Sequence, residues 1–315
     1  MSEPEAADWL GQIADNLIPG VKLVHSAELG LGQPGDEGLH LLQIERPGVA
    51  ALISLQGAQL LRCCLGSNAD LFWLSPNARM QAGQAIRGGV PVCLPWFGVN
   101  RHAVNPQAEA MKHGFARLQE WAISDLHLDA DRCAIEFTLA PPYEHSQLYP
   151  RELICKLRME FSDACSMELK VTAICGQAPF SWALHSYFAV AALQQVQISG
   201  LSGRSYLDNT DQLLRRRQDG AVTFHGETDR VYLEVGERQT INDSNRSIVV
   251  AGTDAPTAVV WNPGPELAAR MADVGAEHAD DFVCLERGAA FDDELMLTPD
   301  QSVSGRVWFR TEPLC

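Results

Sequence analysis

Two arginines mark an irregular part of this sequence that is rich in glycine and proline. Residues 86–98 read IRGGVPVCLPWFG, and residues 112–117 read KHGFAR. Glycine tolerates positive φ and close backbone approach to a ligand, whereas proline is excluded from central strand positions. The guanidinium groups of Arg87 and Arg117 could hold an anion, and the N–H groups of the two glycines after Arg87 could approach the same anion. These segments predict the floor of a pocket for a polar, anionic ligand.

A histidine and a glutamate farther along the chain are candidates for proton transfer. Residues 180–188 read FSWALHSYF, and strand alternation places His185 on the face opposite the more apolar one. Residues 281–288 read DFVCLERG, which predicts an apolar strand that ends at Glu286. Unperturbed glutamate and histidine titrate near about 4.3 and about 6.5, so a glutamate base and a histidine acid are both available near neutral pH.

Both residues also have a simpler interpretation. His185 could be a half-buried histidine whose hydrogen bonds are satisfied, and Glu286 could pair with Arg287 or lie at a rim. Burying a glutamate is costly unless it is paired or functional, which keeps the catalytic interpretation open. The sequence contains no G-x-S-x-G, H-E-x-x-H or phosphate-binding loop motif and no dinucleotide-binding glycine pattern, so other common chemistries are disfavoured.

Short strand signals separated by turns dominate the chain after residue 38. Strands are predicted at 39–45, 50–55, 133–139, 153–161, 167–174, 180–190, 196–199, 206–207, 247–251, 258–261, 282–285 and 303–309. The spacing of apolar residues over 5–18, which ends at Pro19-Gly20, predicts an amphipathic N-terminal helix within residues 1–20 that packs on the outside of the domain. Residues 265–273 form the other predicted helix. Because helices do not alternate with strands, we expect an all-β fold, a large antiparallel β-sandwich, with residues 1–315 in a single domain.

Composition excludes several classes of partner. The formal net charge of -16 disfavours binding to nucleic acid or to an anionic membrane, because both need basic surface. No apolar run approaches 18 residues, so no transmembrane helix is expected. The nine cysteines show neither disulfide spacing nor zinc-ligand spacing, and the first residues lack the features of a signal peptide. We therefore expect a cytoplasmic protein with reduced cysteines.

Five motifs in order resemble one family. They are RGGVP and PWFG within 87–98, HGFAR at 113–117, LHSYF at 184–188, ETDRVY at 227–232 and VCLE at 283–286. Together they are similar to the hexose-6-phosphate mutarotases, also called glucose-6-phosphate 1-epimerases, of the aldose-1-epimerase superfamily. The resemblance implies a single β-sandwich of the galactose-mutarotase type, with a pocket on the concave face of its larger sheet.

The resemblance also implies a reaction, the interconversion of the α and β anomers of an aldohexose 6-phosphate without a metal or organic cofactor. Glu286 would take the proton from the C1 hydroxyl while His185 protonates the ring oxygen. The ring then opens, the C1 aldehyde rotates, and closure from the other face gives the other anomer. We expect the rate to rise with pH through the titration of the glutamate and to fall as the histidine loses its proton.

Five further residues receive binding roles from the resemblance. Arg87 and Arg117 would hold the phosphate, and Asp229 would bind sugar hydroxyls. His113 would stabilise the carbonyl oxygen of the open chain. Lys112 stands where many members have glutamine, and its ammonium either adds to phosphate binding or points to solvent. The family's preference for monomers is the expectation here too.

Two other functions stay open. One is an aldose 1-epimerase that acts on unphosphorylated sugars, which the paired Arg87 and Arg117 disfavour, because a neutral sugar gives no reason to desolvate two guanidinium groups. The other is a non-catalytic sugar-phosphate-binding module, which the presence of both His185 and Glu286 disfavours. Among hexose phosphates, glucose 6-phosphate is the expected substrate.

Overall fold

Two eight-stranded antiparallel sheets form the body of the structure, a computed structural model that describes residues 8–66, 68–129, 132–244 and 246–312. Strands are numbered along the chain. The first sheet, the site sheet, has the spatial order β15 (Leu214–Arg217), β14 (Ser205–Asp208), β16 (Thr228–Tyr232), β19 (Thr257–Asn262), β20 (Phe282–Ala289), β11 (Trp182–Leu184) and β5 (Val92–Cys93), and β12 (Tyr187–Ala189) also pairs with β20.

The second sheet, the backing sheet, packs against it. Its order is β13 (Gln197–Ser199), β17 (Arg238–Asn242), β18 (Ser247–Thr253), β22 (Ser302–Glu312), β9 (Cys165–Cys175), β8 (Glu152–Phe161), β7 (Cys133–Leu139) and β6 (Ala122–Leu128). A four-stranded sheet comprises β1 (Val21–His25), β2 (His40–Arg46), β3 (Val49–Ser54) and β4 (Gln59–Leu65), and β10 (Pro179–Phe180) pairs with β21 (Leu295–Met296). The predicted antiparallel β-sandwich is confirmed.

Helices are short. They are α1 (Trp9–Ala14), α2 (Pro106–Ala110) and α3 (Gly264–Ala268), with 3-10 turns at Ser26–Leu29, Ala116–Leu118, Ser146–Leu148, Leu193–Gln195, Asn209–Asp211, Ala276–His278 and Phe291–Asp293. No helix of the described ranges is long and apolar enough to cross a bilayer.

Alternation along the central strand β20 separates core from cavity. Val283 and Leu285 belong to the large hydrophobic core, whereas Cys284 belongs to a separate cluster on the opposite face. The neighbouring strand β19 repeats this pattern, with Val260 in the large core and Val259 outside it. Because side chains alternate with a period of two, one strand can bury an apolar face and present polar groups on the other.

Four predicted elements differ from the observed ones. The N-terminal helix ends at Ala14 instead of Ile18, because the Asp15 N–H closes the last turn and Asn16 turns left-handed at a φ of 56°; residues 5–7 of that prediction lie outside the described part of the chain. The second predicted helix, 265–273, is only the five-residue α3.

The strand predicted to end at Glu286 continues to Ala289. A buried arginine can occupy the strand here because its side chain points to the other face of the sheet. There the Arg287 Nη2 donates to the Ala255 carbonyl at 2.7 Å. The strand predicted over 180–190 is interrupted at Ser181 and again at His185 and Ser186, where the His185 N–H donates to the Pro91 carbonyl at 2.9 Å.

The paired glycines pack closely against neighbouring backbone, and the Gly89 N–H is used there, contrary to the expectation that it could approach an anion. Gly88 and Gly89 are buried, and the Gly89 N–H donates to the Trp73 carbonyl at 2.8 Å. A Cβ at Gly89 would overlap the Leu60 carbonyl oxygen and approach the Leu61 Cα. Glycine is therefore required here for close backbone approach, which fixes the segment that carries Arg87.

Replacement of Gly89 by alanine should destabilise the protein by roughly 2–5 kcal/mol, because it combines a positive φ of 61° with backbone overlap. Gly83 is the matched control: its φ is 73°, and nothing lies within 4 Å of an added Cβ. Gly83→Ala should cost only about 1–2 kcal/mol. Urea unfolding of both variants measures the difference, and equal losses would contradict the packing argument.

Candidate active site

The register of the site sheet places His185 opposite Glu286. Leu184 and Tyr187, on either side of the interruption, pair with β20 in one continuous register. Directly opposed residues on one face of an antiparallel pair have neighbouring side chains. His185 Nδ1 accordingly lies 3.5 Å from Glu286 Oε1. The two candidates for proton transfer, distant in sequence, form one pair at the floor of a cavity.

This pair is buried without satisfied hydrogen bonds. Glu286 is 1% exposed and His185 is 7% exposed. Neither Glu286 Oε2 nor His185 Nδ1 has a hydrogen-bond partner within the described ranges. Orphaned buried polar atoms are rare in native proteins, because each forgoes the hydrogen bonds it made in water. His185 is thus not a core histidine with satisfied hydrogen bonds.

Arg287 is not the ionic partner of Glu286. Consecutive strand residues point to opposite faces, and the Arg287 guanidinium donates to Gln239 Oε1 at 2.6 Å and to the carbonyl oxygens of Ala255 and Glu237. The simpler interpretation of Glu286 as half of an ion pair with its neighbour is wrong.

Burial shifts both members of the pair toward their neutral forms. It raises the pKa of Glu286 well above its ordinary value; Asp229 adds to this rise and Arg117 opposes it. Burial also lowers the pKa of His185 well below its ordinary value, and His113 and nearby arginines lower it further. Without a ligand, both shifts therefore favour the neutral carboxyl and the neutral imidazole over their charged forms.

Asp229 lies on β16, on the same face of the sheet. Asn209 Nδ2 donates to Asp229 Oδ2 at 2.6 Å. Burial raises the pKa of Asp229 to about 6, with smaller contributions from Glu227 and Asp208. At neutral pH the side chain is mostly a carboxylate that can accept hydrogen bonds from hydroxyl groups.

His113 presents one ring nitrogen to the cavity as a donor. Its Nδ1 accepts the Gly98 N–H at 3.3 Å, and the backbone N–H of His113 donates to the Gly98 carbonyl at 2.8 Å. Burial lowers the pKa of His113 well below its ordinary value, and Arg117 and Arg87 lower it further. A neutral imidazole that accepts at Nδ1 carries its hydrogen on Nε2, which leaves an N–H for a ligand.

Arg87 is held on two sides. Its Nε and Nη2 each lie 2.8 Å from Asp273 Oδ2, and its Nη1 donates to the Tyr187 hydroxyl at 2.8 Å. Its side chain is 23% exposed, so part of the guanidinium remains accessible. A guanidinium carries five N–H donors, so these contacts leave capacity for an anion.

Arg117 and Lys112 complete the predicted set. Arg117 Nη2 donates to the Lys112 carbonyl at 3.0 Å, whereas its Nε is buried and has no hydrogen-bond partner in the described part of the chain. The Lys112 side chain is exposed. Arg117 therefore has more unused hydrogen-bonding capacity than Arg87.

All the side chains predicted from the sequence come together. One cavity of about 570 Å³ is lined by Arg87, Lys112, His113, Arg117, His185, Asp229 and Glu286. The size suits a hexose phosphate, since small-molecule pockets typically span about 300–1,000 Å³. Across the described ranges, no three histidine, cysteine or carboxylate side chains converge as metal ligands do.

Several residues at the cavity were missed by the sequence analysis. Arg101 lines it with its guanidinium carbon 4.1 Å from the centre of the Phe291 ring, and Trp261 and Asn209 also line it. Strand alternation could have identified Tyr187, which follows His185 on the same face. Arg101 lies three residues after the PWFG motif, whereas Trp261 and Asn209 carry no such signal, because they lie outside every motif of the site.

Comparison with known proteins identifies the family. The sequence profile described as Aldose 1-epimerase matches residues 40–310. The chain belongs to the aldose 1-epimerase family. The matched region contains every residue of the cavity described above, so the resemblance drawn from the five motifs is confirmed.

Individual members of the aldose 1-epimerase family extend this finding. A protein of Escherichia coli K12 named "Putative glucose-6-phosphate 1-epimerase" is 36% identical over 254 residues, which is 80% of this chain and 84% of that protein. A protein of Cenchrus ciliaris with the same name is 31% identical over 277 residues, 84% of this chain and 82% of that protein. A crystal structure described as a "putative mutarotase (YeaD) from Salmonella typhimurium" superposes with a TM-score of 0.83 at 30% identity, covering 95% of each chain.

Replacing Glu286 by glutamine should stabilise the protein increasingly as pH rises. The pKa of Glu286 is raised in the folded state, so above about pH 4.3 the unfolded chain ionises first and native stability falls with rising pH. Glutamine removes this dependence. We expect similar melting temperatures for the two proteins near pH 4 and a higher one for Glu286→Gln at pH 8.

The matched control is Glu28→Gln, which changes an exposed glutamate. This variant should follow the wild-type pH dependence. A Glu286→Gln protein that is no more stable than wild type at pH 8 would contradict the burial argument.

Proposed function

We propose that this enzyme interconverts the α and β anomers of a D-hexose 6-phosphate, with glucose 6-phosphate as its substrate. The observation that carries the proposal is a buried histidine–glutamate pair at the floor of a cavity lined by four basic side chains, Arg87, Arg101, Lys112 and Arg117. In a chain of net charge -16, such a local concentration of cations favours an anionic ligand. Relatives named for glucose 6-phosphate support the same assignment.

The chemistry proposed for the pair is general acid–base catalysis. Glu286 takes the proton of the C1 hydroxyl, and His185 gives a proton to the ring oxygen, which opens the ring. Rotation of the C1 aldehyde and closure from the other face reverse these transfers. The active form needs ionised Glu286 and protonated His185, which carries the same total proton count as the neutral pair. Proton transfers of this kind supply roughly 10²–10⁴-fold each.

The open-chain intermediate requires a donor and an acceptor. The His113 Nε2–H can donate to the carbonyl oxygen that forms at C1, because its Nδ1 is already occupied by the Gly98 N–H. The Asp229 carboxylate, oriented by Asn209, can accept hydrogen bonds from sugar hydroxyls. These roles position the sugar while the C1 aldehyde rotates.

The phosphate is assigned to Arg87 and Arg117, with Lys112 as an additional cation. Arg117 offers a buried Nε that lacks a partner within the described residues, and paired guanidinium donors suit phosphate oxygens. The net negative charge of the chain opposes encounter, but screening beyond about 8 Å at physiological salt limits that effect. The local arginines therefore determine binding.

The reaction involves proton transfer without a redox step, so the proposed residues suffice without a metal or organic cofactor. All seven proposed side chains come from one chain, which supports action as a monomer. The eight described cysteines are free, which supports a reducing compartment such as the cytoplasm. Neither nucleic acid nor a membrane is proposed as a partner.

The substrate assignment predicts faster anomerisation of glucose 6-phosphate than of glucose. Anomer-resolved exchange NMR on both sugars, extended to galactose and mannose 6-phosphates, measures it. Glu286→Gln should lower turnover by roughly 10²–10⁴-fold while leaving glucose 6-phosphate affinity, measured by calorimetry, within a few-fold. The Glu28→Gln control should match wild type. A preference for glucose, or full activity in Glu286→Gln, would overturn the proposal.

The pKa shifts of the ligand-free protein predict a broad bell-shaped pH profile for kcat/KM, which reports titration of the free enzyme. The acid limb reports entry of a second proton onto the pair. Its apparent pKa lies below about 6.5, because burial lowers the pKa of His185. The alkaline limb reports loss of the last proton. Its apparent pKa lies well above about 4.3, because burial raises the pKa of Glu286. This revises the assignment made from unperturbed values, in which the histidine governs the alkaline fall. A narrow optimum between about 4.3 and about 6.5 would contradict the burial effect.

A further inference from the structure

The imidazole of His185 is oriented by ring stacking. The His185 and Tyr187 rings are parallel within 5°, with centroids 4.7 Å apart, and Trp261 meets both rings edge-on at 5.9 and 6.0 Å. Catalytic histidines are usually held by a hydrogen bond at the second ring nitrogen. Here Nδ1 has no such partner among the described residues. Rotation of the imidazole would have to break the stack with Tyr187.

The hydroxyl of the same tyrosine holds Arg87. Tyr187 is 2% exposed, and its oxygen accepts from Arg87 Nη1 at 2.8 Å. Burial raises the pKa of Tyr187, so the phenol stays neutral over the working pH range. Asp273 anchors the opposite side of the guanidinium at 2.8 Å. Arg87 thus has two fixed points, one of which belongs to the residue stacked on His185.

We infer that Tyr187 is a positioning residue that couples the phosphate-holding Arg87 to the proton donor His185. Its ring sets the plane of the imidazole, and its hydroxyl sets the position of the guanidinium. The spacing between the proton donor and the anchored phosphate is therefore set by one rigid side chain. This inference rests on the proposed function.

Two substitutions separate the ring from the hydroxyl. Tyr187→Phe keeps the stack and removes the Arg87 contact, so KM for glucose 6-phosphate should rise about 5–10-fold with kcat within twofold. Tyr187→Leu removes the stack as well, and a misplaced imidazole should lower kcat by at least about tenfold. KM for free glucose should not change in Tyr187→Phe, because glucose has no phosphate for Arg87 to hold.

A pH profile distinguishes positioning from general loss of structure. Tyr187→Leu admits water to His185, which weakens the burial that lowers its pKa, so the acid limb of kcat/KM should move to higher pH. Tyr187→Phe should leave the limb in place. Glu286, His113, Arg87 and the other charged groups facing His185 remain in both variants. ¹⁵N NMR of the imidazole reports the same titration directly.

Tyr206→Leu is the matched control for destabilisation. Tyr206 is a buried tyrosine, 7% exposed, on β14 of the same sheet and outside the cavity. It should keep the wild-type kcat, KM and acid limb. Asp273→Asn removes the other anchor of Arg87 and should raise KM for glucose 6-phosphate without changing kcat.

The outcomes are separable from those of the proposed function. Wild-type protein that fails to anomerise glucose 6-phosphate overturns the function itself. If wild type is active, unchanged kinetics in both Tyr187 variants overturn the coupling. An equal loss of kcat in Tyr206→Leu and Tyr187→Leu would also overturn the coupling. An acid limb that stays in place in Tyr187→Leu would overturn it as well.

Discussion

Burial of the Glu286 carboxyl in the middle of a central strand is the constraint on which the site depends. A carboxylate at this depth is unfavourable unless a charge or hydrogen bond compensates it. The structure supplies neither a hydrogen bond to Oε2 among the described residues nor an ion pair with Arg287. What it supplies is His185, 3.5 Å away across the register. Burial consequently raises the pKa of this carboxyl, which therefore retains a proton more readily than an exposed glutamate does.

The two-residue period of the site sheet allows this arrangement without disturbing the core. On β20, Val283 and Leu285 pack between the sheets while Cys284 and Glu286 face the cavity. The strand thus contributes to the hydrophobic core and also carries the buried carboxyl of Glu286. Backbone pairing of β20 with the strands on either side holds that carboxyl in place.

The concentration of basic side chains at the cavity contrasts with the negative net charge of the whole chain. A net charge of -16 coexists with four basic side chains around one pocket. Burial lowers the pKa values of His113 and His185, and Arg87 and Arg117 lower them further, so two of these cations also favour neutral imidazoles. In the proposed function, a bound phosphate dianion would offset part of that positive potential and so favour protonation of His185. Substrate binding and formation of the proposed active protonation state would then be linked.

The sequence by itself determined the all-β class and the face on which His185 lies, because strand alternation is local. The resemblance carried by five short motifs completed the set of seven predicted cavity residues with Lys112, His113 and Asp229. The sequence could not show that Glu286 lies within a strand rather than at its end, that Gly89 serves backbone packing, or that Tyr187 and Asp273 hold Arg87. Those facts depend on which strands are neighbours and on contacts between residues far apart in the chain. Only the tertiary structure decided that His185 and Glu286 are opposed and buried, and burial is what moves their pKa values away from those of the free side chains.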